Sequence, residues 1–234
     1  MSRRGGNEQS IVDLAAQVAS RIDKVVATLA AAAAEAPRSG ADFEHFVDAT
    51  RQLLSDGDPG LALAGAGYAV EYVDSARAPA MVWWVRRGQA IAERTHSVDP
   101  DSESFYDYAS LRWFRTARDS AAPTLSGPFI DTWGSDDYTV TVSQPVTGDS
   151  RLLGVIAADV EVRRFIDSLT ADLRRISAPL TLVNEADRVV VSTVPSLSTG
   201  LPIRPRSERG QADPPSLRRY PVSDYGWSVV SFGA

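Results

Sequence analysis

The spacing of apolar residues along the chain predicts two helices at its beginning. Apolar residues recur at three- and four-residue steps from Ile11 to Leu29, which is the pattern of one buried stripe on a helix. Alanines extend this helix to about Glu35, and Pro37 stops it soon afterwards. A second, shorter helix is predicted over Asp42–Leu54. The first helix is too weakly apolar to be stable alone, so it packs within its own domain or pairs with a second copy of the chain.

Farther along the chain the apolar pattern changes to a period of two, which predicts β-strands. The predicted strands are Ala64–Val73, Met81–Arg86, Ala90–His96, Leu125–Trp133, Tyr138–Val146, Leu152–Val160, Leu180–Asn184, Arg188–Thr193, Leu217–Val222 and Trp227–Phe232. Helical patterns interrupt them at Phe105–Arg118 and Val162–Ile176. Turn sequences between consecutive strands in the middle of the chain predict an antiparallel meander. This order predicts an α+β fold with one antiparallel sheet and helices on its faces.

The segment Pro195–Pro215 is rich in proline, serine, glycine and arginine, which predicts a mobile loop. We interpret it as a loop inside one domain, because the strand after it has no other sheet to join. The predicted organisation is therefore a long helix over residues 1–36 and, in the same domain, the remaining residues 37–234.

Composition excludes several kinds of site. The 234 residues carry a net charge of −6 and include no cysteine and two histidines, His45 and His96. Disulfides, thiolate nucleophiles and cysteine-based metal sites are excluded, and we expect no metal or other cofactor. The acidic balance argues against a nucleic-acid partner. No phosphate-binding loop, nucleophile elbow or zinc-protease motif occurs, so an enzyme is not expected.

Targeting and membrane signals are also missing from the sequence. No stretch reaches the roughly 18 consecutive apolar residues of a membrane span. The N-terminal helix carries charges where a signal peptide would be apolar. We therefore expect a cytoplasmic protein with no membrane contact.

Two aspartates stand near the ends of apolar strands. The strand before Asp159 is apolar on both of its faces, so an ionised carboxylate there is costly unless it is paired or hydrogen-bonded. Asp159 either stabilises the boundary between strand and helix or lies in a pocket where its carboxylate binds a cation. Asp131 poses the same question after an apolar strand of its own. Two carboxylates among aromatic faces can hold an ammonium group by charge-assisted hydrogen bonds and cation–π contact.

Four motifs in this region, considered together, resemble a Cache domain, the PAS-like ligand-sensing module of receptors. They are Leu111–Ala117, Gly127–Asp131, Tyr138–Val146 and Gly154–Val160, and the matching signature covers about Phe105–Phe165. The resemblance implies a long helix behind a central antiparallel sheet, with a pocket on the opposite face roofed by short helices and loops. It also implies that the chain binds a small metabolite without transforming it.

Three further features look like the stand-alone, soluble single-Cache proteins of high-GC Gram-positive bacteria. They are Tyr68, the pair Trp83-Trp84 and the region from Asn184 onward. Receptors that carry Cache domains signal through a membrane helix to an effector domain, and we expect neither in this chain. Any output would then pass to a separate regulator or transporter partner.

The resemblance also implies roles for individual residues. Asp131 and Asp159 occupy the positions that hold the ligand ammonium in amine- and amino-acid-binding Cache domains. The implied aromatic wall around them is made of Tyr106, Trp113, Phe114, Phe129 and Tyr138.

One position departs from the amino-acid-binding pattern. Those domains carry an arginine two residues before the tryptophan, to pair with the ligand carboxylate, and this chain has Leu111 there. Arg112 or Arg115 would have to replace it, so an amine is expected at least as much as an amino acid.

The main hypothesis is thus a non-catalytic sensor domain for a small ammonium-bearing ligand. The alternative keeps the same fold but has a vestigial pocket. In that case the N-terminal helix forms a homodimer or binds a regulator.

Overall fold

The computed structural model describes residues 2–35, 43–55, 63–72, 80–97, 99, 101–130, 138–149, 151–204, 213–214 and 216–233. The prediction of an α+β fold with an antiparallel sheet and a long N-terminal helix is confirmed. Both predicted N-terminal helices are present, as α1 (Ser2–Glu35) and α2 (Phe43–Ser55). The apolar stripe of α1 is buried along its length, from Ile11 to Leu29.

The described residues form two sheets, which corrects the prediction of one. The larger sheet has six strands in the order β3-β2-β1-β6-β5-β4. Its strands are β1 (Leu63–Val70), β2 (Met81–Arg87), β3 (Ala90–Glu93), β4 (Thr124–Ile130), β5 (Tyr138–Gly148) and β6 (Arg151–Glu161). Between β3 and β4 the chain forms a short 3-10 helix, Tyr108–Ser110, and then α3 (Arg112–Ser120).

The smaller sheet has the order β8-β7-β10-β9 and follows α4 (Val162–Arg175). Its strands are β7 (Leu180–Val183), β8 (Val189–Ser192), β9 (Leu217–Val222) and β10 (Trp227–Phe232). The last strand does have another sheet to join, because β10 pairs with both β7 and β9. The sequence prediction was wrong on this point because periodicity identifies a strand but not its partner.

The chain divides into two compact units that correspond to the two sheets. The first unit contains residues up to Ile22, the short stretch Gly127–Phe129 and everything from Val162 onward. The second contains Asp23–Ser126 and Ile130–Glu161, and with them most of the six-stranded sheet.

In the first unit, part of the predicted mobile loop packs on β8 through its backbone. Gly200 donates to the carbonyl of Val189 at 2.8 Å, and Ile203 donates to the carbonyl of Asp187 at 2.9 Å. Residues 205–212 of that loop lie outside the described residues. Its mobility stays a prediction.

A ring of four charges lies next to this loop in the first unit. Arg204 and Arg219 each contact both Asp187 and Asp213, at N–O distances from 2.6 to 3.3 Å. The guanidinium of Arg219 lowers the pKa of Asp213 through a hydrogen bond, while Asp213 raises the pKa of Arg219. This ring joins Arg204 and Asp213, two residues of the loop, to the β7–β8 turn and to β9.

Candidate functional site

The register of the six-stranded sheet decides which side chains share a face. Gly65 on β1 pairs with Val85 on β2 and with Asp159 on β6, and Asp159 pairs in turn with Thr141 on β5. Because side chains alternate along a strand, every second residue from these positions points to the same face. The residues of that face on the four strands are Met81, Trp83, Val85, Gly65, Gly67, Ala69, Val155, Ala157, Asp159, Thr141, Ser143 and Pro145.

This face packs against α3 and the short 3-10 helix, and we call it the α3 face. Tyr108 on the 3-10 helix and three residues of α3, Trp113, Phe114 and Ala117, form one buried cluster with it. Their aromatic rings contact each other in a chain. The ring centroids of Trp83 and Trp113 are 5.5 Å apart, those of Trp113 and Phe114 are 5.7 Å apart, and those of Phe114 and Tyr108 are 5.3 Å apart.

Two glycines on β1 make room for an indole ring on the α3 face. A methyl group built on Gly67 would collide with the ring of Trp83, and one built on Gly65 would lie 2.9 Å from the indole Nε1. The same point on Gly65 is 3.4 Å from Oδ2 of Asp159. The indole therefore lies across the glycines, and its N–H edge borders the place that the carboxylate reaches.

Asp159 lies within β6 rather than at its end, and its side chain is 7% exposed. Thr141 on the neighbouring strand donates a hydrogen bond of 2.6 Å from its hydroxyl to Oδ1 of Asp159. The contact joins two neighbouring strands of the sheet. The second oxygen, Oδ2, lies on the side of the carboxylate toward Gly65 and Trp83.

Tyr108 ties the covering helices to the sheet. Its hydroxyl donates to the carbonyl of Val70 at 2.9 Å and accepts from the backbone N–H of Ala80 at 3.2 Å. These two residues are the end of β1 and the residue before β2. Burial raises the pKa of Tyr108, because the ionised phenolate is poorly solvated there.

The structure brings several of the sequence-predicted residues together and separates others. Trp113 and Phe114 are buried in the same cluster as the residues that surround Asp159 on the sheet. Tyr106 is half-buried and packs against that cluster. Arg112 and Arg115 are exposed on α3, although the helix buries its two aromatic residues.

Two of the remaining predicted residues, Phe129 and Tyr138, lie outside this cluster. Asp131 is outside the described residues. Phe129, in β4, is 36% exposed, and Tyr138 is half-buried at the start of β5. The ligand contacts assigned to all three stay predictions.

Two site residues, Trp83 and Tyr108, were not predicted to contact or cover the site. Trp83 and Trp84 look equivalent in the sequence, but alternation along β2 places only Trp83 on the α3 face. The signal that identifies Trp83 is the pair of glycines on the neighbouring strand. Tyr108 carries no local signal, since its partners are 28 and 38 residues away.

Residues 64–167, which include this site, match the family model described as the first PDC sensor domain of methyl-accepting chemotaxis protein-like receptors. Over this segment the chain is similar to PDC sensor domains of the Cache type. The family resemblance seen in the sequence is thereby confirmed, while the stand-alone, high-GC Gram-positive character stays a prediction. No protein of curated function matches the chain by sequence.

Solved structures similar to this chain include a chemotaxis protein and the ligand-binding domains of two chemoreceptors. Methyl-accepting chemotaxis protein X has a TM-score of 0.71 at 15% identity, over 97% of this chain and 96% of that one. The ligand-binding domain of Pseudomonas fluorescens chemoreceptor CtaA, in complex with L-valine, has a TM-score of 0.66 at 14% identity, over 97% and 95%. The ligand-binding domain of the Pseudomonas aeruginosa PAO1 amino acid chemoreceptor PctC, in complex with GABA, has a TM-score of 0.58 at 17% identity, over 94% and 95%. At these identities the likeness shows the fold.

In the part of the chain that the structure describes, no helix is long and apolar enough to cross a bilayer. The cytoplasmic location stays a prediction.

Proposed function

We propose that the chain is a non-catalytic sensor domain that binds a small ammonium-bearing ligand on the α3 face. Asp159 accepts hydrogen bonds from the ammonium group, and Trp83 and Trp113 surround its apolar part. Asp131 is the second carboxylate of this proposal, on the family resemblance alone. The single observation that carries the proposal is the buried carboxylate of Asp159 beside the indole edge of Trp83.

The chemistry of this arrangement suits a cation. A buried carboxylate is costly unless its charge is compensated, and an ammonium donates hydrogen bonds while it neutralises that charge. Tryptophan is the aromatic residue that attracts cations most strongly through its ring face. Thr141 orients the carboxylate by donating a hydrogen bond to Oδ1.

Amines and amino acids are both candidate ligands. The CtaA and PctC structures are complexes with L-valine and GABA, which both carry an amino group. In this chain Arg112 and Arg115 are exposed, and Leu111 stands where amino-acid-binding domains carry an arginine. We therefore place simple amines ahead of α-amino acids.

Isothermal titration with n-butylamine, 3-amino-1-propanol, L-valine and GABA tests the proposal. For any compound that binds, Asp159→Asn is expected to weaken binding at least about thirtyfold, or about 2 kcal/mol, because the ammonium loses its countercharge. Asp149→Asn is the matched control, since it removes the same charge from an exposed turn residue.

Two results would overturn the proposal. One is an affinity that Asp159→Asn leaves within a factor of two of the wild-type value. The other is the absence of heat with every compound of the panel, which would favour the vestigial-pocket alternative. Light scattering of the full chain and of a chain without residues 1–36 then tests dimerisation through α1.

A further inference from the structure

The α3 face carries a buried hydroxyl that the structure leaves without a partner. Ser143 lies on β5, two residues from Thr141, and its side chain is 0% exposed. Its Oγ makes no hydrogen bond, whereas the hydroxyl of Thr141 is used by Asp159. Leaving a buried hydroxyl unpaired costs free energy, so such groups in native proteins call for an explanation.

Ser143 lies on the same face of the sheet as the carboxylate of Asp159, one strand away and two residues farther along. Thr141 is directly opposite Asp159, and Ser143 is the next residue of β5 on the same face, opposite Ala157. Two residues along a strand are about 7 Å apart. The following position, Pro145, is apolar, so polarity on this strand decreases from the Asp159–Thr141 pair through Ser143.

We infer that Ser143 binds a second polar group of the ligand, so that the site selects ammonium compounds with a hydroxyl or similar group about three carbons from the nitrogen. This inference rests on the proposed function, because it places the ammonium at Asp159, whose strand partner Thr141 is about 7 Å along β5 from Ser143. An extended three-carbon amino alcohol reaches both groups. A hydroxyl on serine can both donate and accept, so it suits the hydroxyl of such a ligand.

Two probes of equal size isolate the contribution of the second polar group. In n-butylamine and 3-amino-1-propanol the number of non-hydrogen atoms is the same, and only the terminal methyl is replaced by a hydroxyl. Isothermal titration of the full chain gives the ratio of their affinities. We expect the wild-type protein to bind 3-amino-1-propanol about five- to tenfold more tightly relative to n-butylamine than Ser143→Ala does.

A second readout separates ligand binding from a structural role. If the hydroxyl of Ser143 is unpaired without ligand, its removal does not destabilise the protein. The melting temperature of ligand-free Ser143→Ala is therefore expected to equal or exceed that of the wild type. Ser231→Ala, which removes a buried hydroxyl from β10, is the control and is expected to leave the affinity ratio unchanged.

The outcomes separate this inference from the proposed function. If Ser143→Ala preserves the wild-type affinity ratio while Asp159→Asn still weakens binding, the inference alone is overturned. A melting temperature that falls by several degrees in ligand-free Ser143→Ala also overturns it, since the hydroxyl would then have a structural partner. Failure of both amines to bind, or binding that ignores Asp159→Asn, overturns the proposed function and the inference with it.

Discussion

The two faces of the six-stranded sheet are built differently. Opposite the α3 face, aromatic rings and a side-chain hydrogen bond join the sheet to α2. The indole N–H of Trp84 donates to the carbonyl of Val47 at 3.1 Å, and the Arg51 guanidinium carbon lies 5.3 Å from the centre of the Trp84 ring. Tyr68 stacks on Phe46 with ring centroids 4.0 Å apart. We call this the α2 face.

The α3 face instead places a carboxylate, an unpartnered hydroxyl and small residues under an aromatic cover. Apolar packing stabilises both faces, and on the α3 face the buried carboxylate of Asp159 lies beside the edge of the Trp83 indole. If the proposed function holds, one sheet separates a structural interface on its α2 face from a ligand-binding surface on its α3 face. Substitutions on the two faces are then expected to have different effects on stability and on ligand affinity.

The largest expected loss of stability comes from a substitution on the α2 face. Phe46 is almost completely buried against Tyr68, so Phe46→Ala removes a large ring and leaves a cavity. We expect it to lower the free energy of unfolding by about 3–5 kcal/mol. Urea denaturation gives this value, and Phe43→Ala, at a half-buried ring 6.2 Å from Tyr68, is the control with a smaller loss.

The same variant tests whether the α2 face takes part in binding. Below its melting temperature, folded Phe46→Ala should bind n-butylamine with the wild-type affinity. A tenfold weaker affinity in the folded variant would show that the two faces are not separate in function.

Sequence periodicity predicted the elements of both faces well. The stripe of α1, both helical segments after β3, and strands such as Tyr138–Val146 and Leu152–Val160 appear close to their predicted bounds. These predictions succeed because one buried face imposes its period on the local sequence. Asp159 was also recognisable, because a lone carboxylate in a strand apolar on both faces is costly.

The partners of these elements could not be predicted in the same way. Trp227–Phe232 looked like another strand of the first sheet, but pairing is decided by contacts between distant residues, and it joins the smaller sheet. The neighbourhood of Asp159 depends on the registers of β1, β5 and β6, which no local pattern encodes. For that reason only the structure shows that Trp83 and Ser143 lie on the same face of the sheet as Asp159.

A smaller loss of stability is expected from a substitution on the α3 face. Gly67→Ala places a methyl group against the ring of Trp83 and the backbone carbonyl of Val82, so the indole must move. We expect a loss of about 2–3 kcal/mol in unfolding free energy and weaker binding of any ligand that Trp83 contacts. Denaturation and isothermal titration measure the two effects.

Gly154→Ala is the matched control for this substitution. Its methyl group would meet the carbonyl of Ala69 and the hydroxyl of Tyr68, which belongs to the α2 face. It should therefore reduce stability by a similar amount without changing the affinity of the folded protein. If both glycine variants reduce affinity equally, the distinction between the faces fails.

The smallest expected effect comes from the hydroxyl that ties the cover of the α3 face to the sheet. Tyr108→Phe keeps the ring among its aromatic neighbours but removes the bonds to Val70 and Ala80. The loss in unfolding free energy is expected to be about 1–2 kcal/mol at neutral pH. Tyr225→Phe, at a half-buried position of the first unit, is the control.

The effect of Tyr108→Phe on the free energy of unfolding should depend on pH in the alkaline range. Burial raises the pKa of Tyr108 above its ordinary value of 10.0, so the folded state holds the phenolic proton more tightly than the unfolded chain does. The stability that follows from this is complete below the unfolded pKa and is lost as the pH rises through the folded one. The difference in unfolding free energy between wild type and Tyr108→Phe should therefore shrink above about pH 10. A difference that stays constant from pH 7 to pH 11 would mean that the hydroxyl of Tyr108 is not buried in the folded protein, and that the cover of the α3 face is held by its aromatic contacts alone.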